Sequence, residues 1–169
     1  MKQYGFDFDP ARCVQCHACE VACKTLHRVE WGVRWRRVVA VWHGQFPDVV
    51  SRGLSFSCQH CGNPPCKAAC PHGAITKRPE NGIVTVDRDK CFGCRLCLIA
   101  CPFGVPQFGA DGKMQKCDLC LDLVAQGKEP ACVATCPSGA LRFGTLDELS
   151  EQAARRRARK ITETSEPTP

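Results

Sequence analysis

Apolar and polar residues alternate strictly from Tyr4 to Asp9 (YGFDFD), which predicts a short half-buried strand. The same alternation returns from Ile83 to Asp87 (IVTVD), after a turn at Glu80-Asn81-Gly82 and an earlier short strand over Ala74–Lys77. Leu141–Phe143 is a further short strand, expected to pair with Tyr4–Asp9 as Ile83–Val86 pairs with Ala74–Lys77. Val33 to His43 (VRWRRVVAVWH) has strand composition, with three tryptophans in or beside it. It reads as core and edge strand, or as a docking surface, since Trp and Arg are enriched at interface hot spots. Residues 103–116 form a Gly/Pro-rich connection with a turn at Asp111-Gly112. Thr145 with Glu148 makes a capping box that opens a helix through Leu146, Leu149 and Ala153. The basic run Arg155, Arg156, Arg157, Arg159 and Lys160 reads as the solvated end of that helix, or as a contact for a partner or anionic membrane surface. The polar tail from Thr162 to Pro169 is expected to be disordered. No stretch approaches the roughly 18 apolar residues needed to cross a bilayer.

A chain of 169 residues suits one domain or two fused small ones, about 40 Å across. Its apolar core is thin for that length, so another source of cohesion is required. The 16 cysteines supply it. They fall into four groups: Cys13, Cys16, Cys19, Cys23; Cys58, Cys61, Cys66, Cys70; Cys91, Cys94, Cys97, Cys101; and Cys117, Cys120, Cys132, Cys136. Groups one and three read C-x2-C-x2-C-x3-C, group two widens its second gap to four residues, and group four widens it to eleven. Three groups end in Cys-Pro, and none leaves a cysteine over. This is the ligand run of bacterial [4Fe–4S] ferredoxins, where the fourth Cys of each run serves the other cluster of a pair. A disulfide scaffold fits poorly, because such tight gaps put four thiols around one small volume and no signal-peptide pattern precedes them. A zinc-binding structural module is the more distant alternative, but zinc knuckles contribute two ligands each, not three within seven residues.

An internal repeat decides the pairing. The strand before Cys13 matches the strand before Cys91, and Cys70-Pro-His-Gly-Ala-Ile matches Cys136-Pro-Ser-Gly-Ala-Leu. Groups two and three, joined by a hairpin, have the layout of a complete two-cluster module, so groups one and four form a second module around it. The expected fold is α+β: two ferredoxin-like modules, one inserted in the other, with short helices and hairpins around four [4Fe–4S] clusters. The outer module spans 1–56 plus 102–150, the inserted one 57–101, and 151–169 holds the basic helix end and tail. The crossed rule gives four ligand sets. The first is Cys13, Cys16, Cys19 with Cys136, and the fourth is Cys117, Cys120, Cys132 with Cys23. The second is Cys58, Cys61, Cys66 with Cys101, and the third is Cys91, Cys94, Cys97 with Cys70.

The formal charge of +6 does not indicate nucleic acid. Each oxidised cluster with four thiolates carries about −2, so four reverse the sign. Gly62, Gly93 and Gly104 lie where the backbone must approach a cluster. His17 and His60 lie between cysteines but read as surrounding residues, since each set already has four thiols. No nucleophile–base pair, phosphate loop or dinucleotide fingerprint is present, so the chain reads as an electron carrier without substrate chemistry.

Four stretches carry a family resemblance: QYGFDFDPARCVQCHACEVACK at 3–24, SCQHCGNPPCKAACPHGAITKR at 57–78, VDRDKCFGCRLCLIACPFGVPQF at 86–108 and KCDLCLDLVAQGKEPACVATCPSGALRFG at 116–144. They resemble the four-cluster electron-transfer subunits of molybdenum and tungsten bis-pterin oxidoreductases of anaerobic respiration, nearest the iron–sulfur subunit of dimethyl sulfoxide reductase. Equivalent subunits of thiosulfate or polysulfide reductases and formate dehydrogenases share the cysteine pattern. The resemblance implies a molybdopterin catalytic subunit as one partner and an integral membrane anchor that exchanges electrons with quinone as the other. It places the first-group cluster toward the catalytic subunit and ends the inserted module, toward the membrane, at the second-group cluster. Where nitrate reductase relatives carry Trp and a three-iron centre, this chain has Cys94, which implies a four-iron cluster. Without a signal peptide, a complex peripheral to the cytoplasmic membrane is either cytoplasmic or co-exported with a twin-arginine partner, and the resemblance favours export.

Overall fold

The computed structural model describes residues 2–163. Elements follow in the order β1 (Tyr4–Phe8), α1 (Ala18–Leu26), β2 (Arg37–Gln45), β3 (Asp48–Phe56), α2 (Pro65–Ala68), β4 (Ile75–Lys77) and β5 (Val84–Val86), then α3 (Leu96–Ala100), β6 (Gln107–Phe108), β7 (Met114–Gln115), α4 (Leu121–Ala125), α5 (Ala131–Ala134), β8 (Leu141–Thr145) and α6 (Leu146–Glu163). The described strands pair antiparallel as β1–β8, β2–β3, β4–β5 and β6–β7.

Two pairings expected from the alternation are present. In the first, β1 and β8 join the two ends of the chain, with Tyr4 opposite Thr145, Phe6 opposite Phe143 and Phe8 opposite Leu141. The period of two turns Phe6 and Phe8 inward against Cys19, Val38, Cys132 and Leu141. In the second, β4 sets Ile75 against Val86 and Lys77 against Val84. Ile75 and Val84, nearly sealed from solvent, pack with Cys66, Cys70, Cys91, Cys97 and Met114. A third apolar cluster joins Cys58, Val105 and Cys117, with Phe6, Trp35 and Cys101 against it. Cysteine is part of all three.

The helices that carry cysteine are short, and two start at proline positions suited to a first turn: Pro65 in α2 and Pro130 just before α5. α1 packs on α5, and α2 on α3. The region around the tryptophans departs from expectation. The strand begins only at Arg37, and β2 forms a long hairpin with β3 that the sequence did not mark, turning at Phe46-Pro47. Its outer half is solvated on both strands, leaving Trp42 and Phe46 exposed. The 103–116 connection is also a small hairpin, with the expected turn at Asp111-Gly112.

The capping box is present in both directions. The Glu148 amide donates to Thr145 Oγ1 at 3.3 Å, and the Thr145 amide donates to a Glu148 carboxylate oxygen at 2.8 Å. The helix it opens runs to Glu163, so the basic run forms its second half, as expected of a helix end. Arg156 is half-buried: it pairs with Asp7 at 2.5 Å, alongside Arg142 at 2.9 Å, and ties α6 to β1. Thr162 and Glu163 are helical, and the rest of the expected tail lies outside the described residues. Thr145→Ala is expected to cost about 1 kcal/mol at this helix start. That corresponds to roughly fivefold faster amide hydrogen exchange in the first turn of α6, with exchange near Arg156 unchanged.

Candidate metal centres

Cysteine runs wrap around a point only if the backbone turns the wrong way for an L-residue. Seven non-glycine residues among those described have positive φ, and six lie in or beside the runs: Gln15, His17, His60, Arg95, Leu119 and Cys120. The repeat extends to this detail. Gln15 and His17 flank Cys16 as Gly93 and Arg95 flank Cys94, all at φ between 56° and 82°. Each such non-glycine residue costs roughly 1–2 kcal/mol, so something at the centre of each run must offset it. Gly93 needs its lack of a side chain twice, since a Cβ there would also meet the Gly112 carbonyl oxygen at 2.5 Å. Gly62 does not adopt the left-handed conformation that Gly93 and Gly104 do.

The structure brings the predicted thiols together set by set. Cys13, Cys16, Cys19 and Cys136 line one cavity. Cys58, Cys61, Cys66 and Cys101 line a second, and Cys70, Cys91, Cys94 and Cys97 a third. Cys23, Cys117, Cys120 and Cys132 are all buried. Burial pushes the Cys23 thiol up strongly, and its nearness to Cys117, Cys132 and Cys120 adds to the effect. Burial likewise pushes Cys117 up to about 12, and Cys97 and Cys120 up to about 11. Cys136 is lowered: burial opposes its ionisation, but hydrogen bonds from Leu141, Ser138 and Ala140 outweigh it. Crowded, dry thiols of this kind give up their protons to a metal centre rather than to water. Backbone amides already point at sulfur, Met114 N–H at Cys91 Sγ and Leu119 N–H at Cys117 Sγ, both at 3.3 Å. Four soft ligands around a dry space with N–H groups aimed at them fit a [4Fe–4S] cluster.

The four sets lie in a row. Cys19 packs with Cys132, which joins the first set to the fourth. Cys117 packs with Cys58, joining the fourth to the second, and Cys97 with Cys66, joining the second to the third. The inserted region therefore ends at the third set, and the second is interior. This corrects the expectation that the second-group cluster ends the row: the packing of α2 on α3 sets Cys66 against the cluster that contains Cys97. Among the described residues the exposed cysteines are Cys16 and Cys94, one at each end of the row.

Residues around the sets were less legible. His17 is exposed and pairs with Glu20 at 3.2 Å. His60 is buried and accepts a hydrogen bond from the Val84 amide at its Nδ1, 3.0 Å away, which pins β5. Burial, followed by the charges of Lys116, Lys77 and Arg36, holds its pKa well below the usual histidine value. His27, which the sequence reading missed, lies with Nε2 3.2 Å from Cys120 Sγ and 3.6 Å from Asp118, its ring against Trp35. Its only signal is position, four residues beyond Cys23 and just past the end of α1. Trp35 donates to Gln115 Oε1 at 2.9 Å and is part of the packing, whereas Trp31 and Trp42 are exposed.

Known proteins agree with this geometry. Residues 50–146 match the 4Fe-4S dicluster domain, and residues 10–26 match a 4Fe-4S binding domain. The chain is therefore an iron–sulfur protein that holds [4Fe–4S] clusters. It is 46% identical over 162 residues to the B subunit of the anaerobic dimethyl sulfoxide reductase of Escherichia coli K12, covering 89% of this chain and 77% of that one. It is 45% identical to the thiosulfate reductase electron transfer subunit of Salmonella typhi (89% and 80%) and 39% identical to the formate dehydrogenase iron-sulfur subunit of Wolinella succinogenes (86% and 82%). The chain belongs to the family of iron–sulfur electron-transfer subunits that includes the B subunits of the anaerobic dimethyl sulfoxide reductases. It is a non-catalytic subunit of an oxidoreductase.

Proposed function

We propose that this chain carries electrons through four [4Fe–4S] clusters between a membrane quinone-reactive subunit and a molybdopterin catalytic subunit of the dimethyl sulfoxide reductase type. The observation that carries the reading is the row of four thiol sets with one exposed cysteine at each end, Cys16 and Cys94. A carrier needs two outlets and an insulated middle. The clusters, when bound, take up and release single electrons without making or breaking substrate bonds. The protein's own part is to fix the order of the sets, bury the thiols of the fourth and supply N–H groups and charge that tune them. The ligand sets are the crossed ones, in an outer module (1–56 with 102–150) and an inserted module (57–101). The pairing of β1 with β8 and of β4 with β5, and the packing of α1 on α5 and α2 on α3, support that nesting. The first set faces the catalytic subunit and the third faces the membrane anchor. No helix among the described residues is long and apolar enough to cross a membrane, which suits a chain docked on an anchor. Co-export with a twin-arginine partner places the complex outside the cytoplasm. Near-equal identity to the thiosulfate reductase subunit keeps that substrate as the second reading, and the co-purifying catalytic subunit separates the two.

The ligand sets are tested by two substitutions. Cys136→Ser is expected to alter the electron paramagnetic resonance signal of the first-set cluster, and Cys23→Ser that of the fourth. The opposite assignment, or a Cys136→Ser change confined to the fourth-set signal, refutes the crossing.

A further inference from the structure

Arg36 is 2% exposed. Its Nη1 donates to Ser55 Oγ at 3.2 Å, and that hydroxyl lies 3.4 Å from Cys19 Sγ of the first set. The guanidinium covers the Phe6 ring at 4.4 Å, and Phe6 packs against both the Cys19–Cys132 and the Cys58–Cys117 clusters. Its Nε and Nη2 are buried with no hydrogen-bond partner. No ion pair among the described residues includes it. A permanent cation in such a place is costly unless a negative group compensates it, and no carboxylate does. The negative charge at this junction comes from the thiolate sets themselves once they hold iron.

We propose that Arg36 is a positioning residue that raises the reduction potentials of the first-set and fourth-set clusters, as the fixed counter-charge where the two sets meet. The proposal rests on the cluster assignment above. Reduction adds one negative charge to a cluster, and a nearby fixed cation stabilises the reduced form more than the oxidised one. Phe6, whose ring the guanidinium covers, packs against the cluster of Cys19 and Cys132 and against that of Cys117, so the first and fourth sets lie beside the same charge. The Ser55 hydroxyl extends the contact to the first set alone.

The test is a redox titration of the complex, followed by electron paramagnetic resonance, with iron content measured on each variant. In Arg36→Gln the reduced-to-oxidised ratio of the first- and fourth-set clusters at a fixed ambient potential is expected to fall about tenfold, a shift of about 59 mV for one electron. The third set should not move. Arg36→Lys, which keeps the charge but not the fork, should lower the first set less, and Ser55→Ala should lower the first set only. Unchanged potentials in fully loaded Arg36→Gln, or an equal shift in all four sets, overturn the proposal. If Arg36→Gln loads poorly, an unchanged first-set potential in both Arg36→Lys and Ser55→Ala overturns it. A wild-type complex without iron refutes the cluster assignment first, and this proposal with it.

Discussion

Removing iron with a strong chelator is expected to unfold most of the chain, and the loaded protein should hold about 16 iron atoms. The reason lies in what the core is made of. Every apolar cluster includes buried cysteine: Cys19 and Cys132 in one, Cys97 in another, Cys58 and Cys117 in the third. The strand pairs that join them are two to five residues long, apart from the exposed β2–β3 hairpin, and isolated two-stranded pairs of that kind are marginal in water. The left-handed residues in the runs add strain that only the centres offset. Cluster binding is thus folding free energy. Far-UV circular dichroism before and after chelation, with iron and sulfide analysis, decides the matter. An unchanged spectrum in iron-free protein, or stoichiometric zinc in place of iron, contradicts it.

Deleting the chain from its complex is expected to abolish quinol-driven turnover while leaving intact the turnover driven by an artificial dye that reaches the catalytic subunit directly. The purified chain alone should accept electrons from dithionite and turn over no oxide, sulfur or formate substrate. A relay whose loss breaks delivery and spares chemistry behaves in this way. Normal quinol-linked activity without it, or substrate turnover by the chain alone, shows the assignment to be wrong.

Local rules made much of this legible. Alternation located β1 and β5, the repeated Cys-Pro-x-Gly-Ala stretch located β4 and β8, and the repeat paired β1 with β8 and β4 with β5. Thr145 and Glu148 marked the start of α6 because a capping box is a contact within one turn. Cysteine spacing named the three thiols that one run brings to a cavity, because a short run has few ways to surround a point, and the crossed rule named Cys136, Cys101 and Cys70 beside them. The rest depends on contacts distant in sequence. The order of the sets needs Cys66 against Cys97 and Cys58 against Cys117, which spacing does not encode. Arg36 looked like part of a strand, and its burial follows from Phe6 and Ser55, 30 residues before and 19 after it. The pairing of Arg156 with Asp7 was not legible because the two lie 149 residues apart.

The pairing of β1 with β8 has a consequence for how the protein is made, because β1 leaves the ribosome well before its partner. On the ligand sets proposed above, residues 58–101 complete both sets of the inserted module before residues 117–136 are made. Cys13, Cys16 and Cys19 wait for Cys136, more than 100 residues later, on the order of ten seconds at ordinary translation rates. For that interval the outlet at Cys16 is an open set of thiols exposed to oxidants, while the outlet at Cys94 has already closed. On that order of synthesis the first set would close after the third and second, leaving its end of the relay the longest exposed to air.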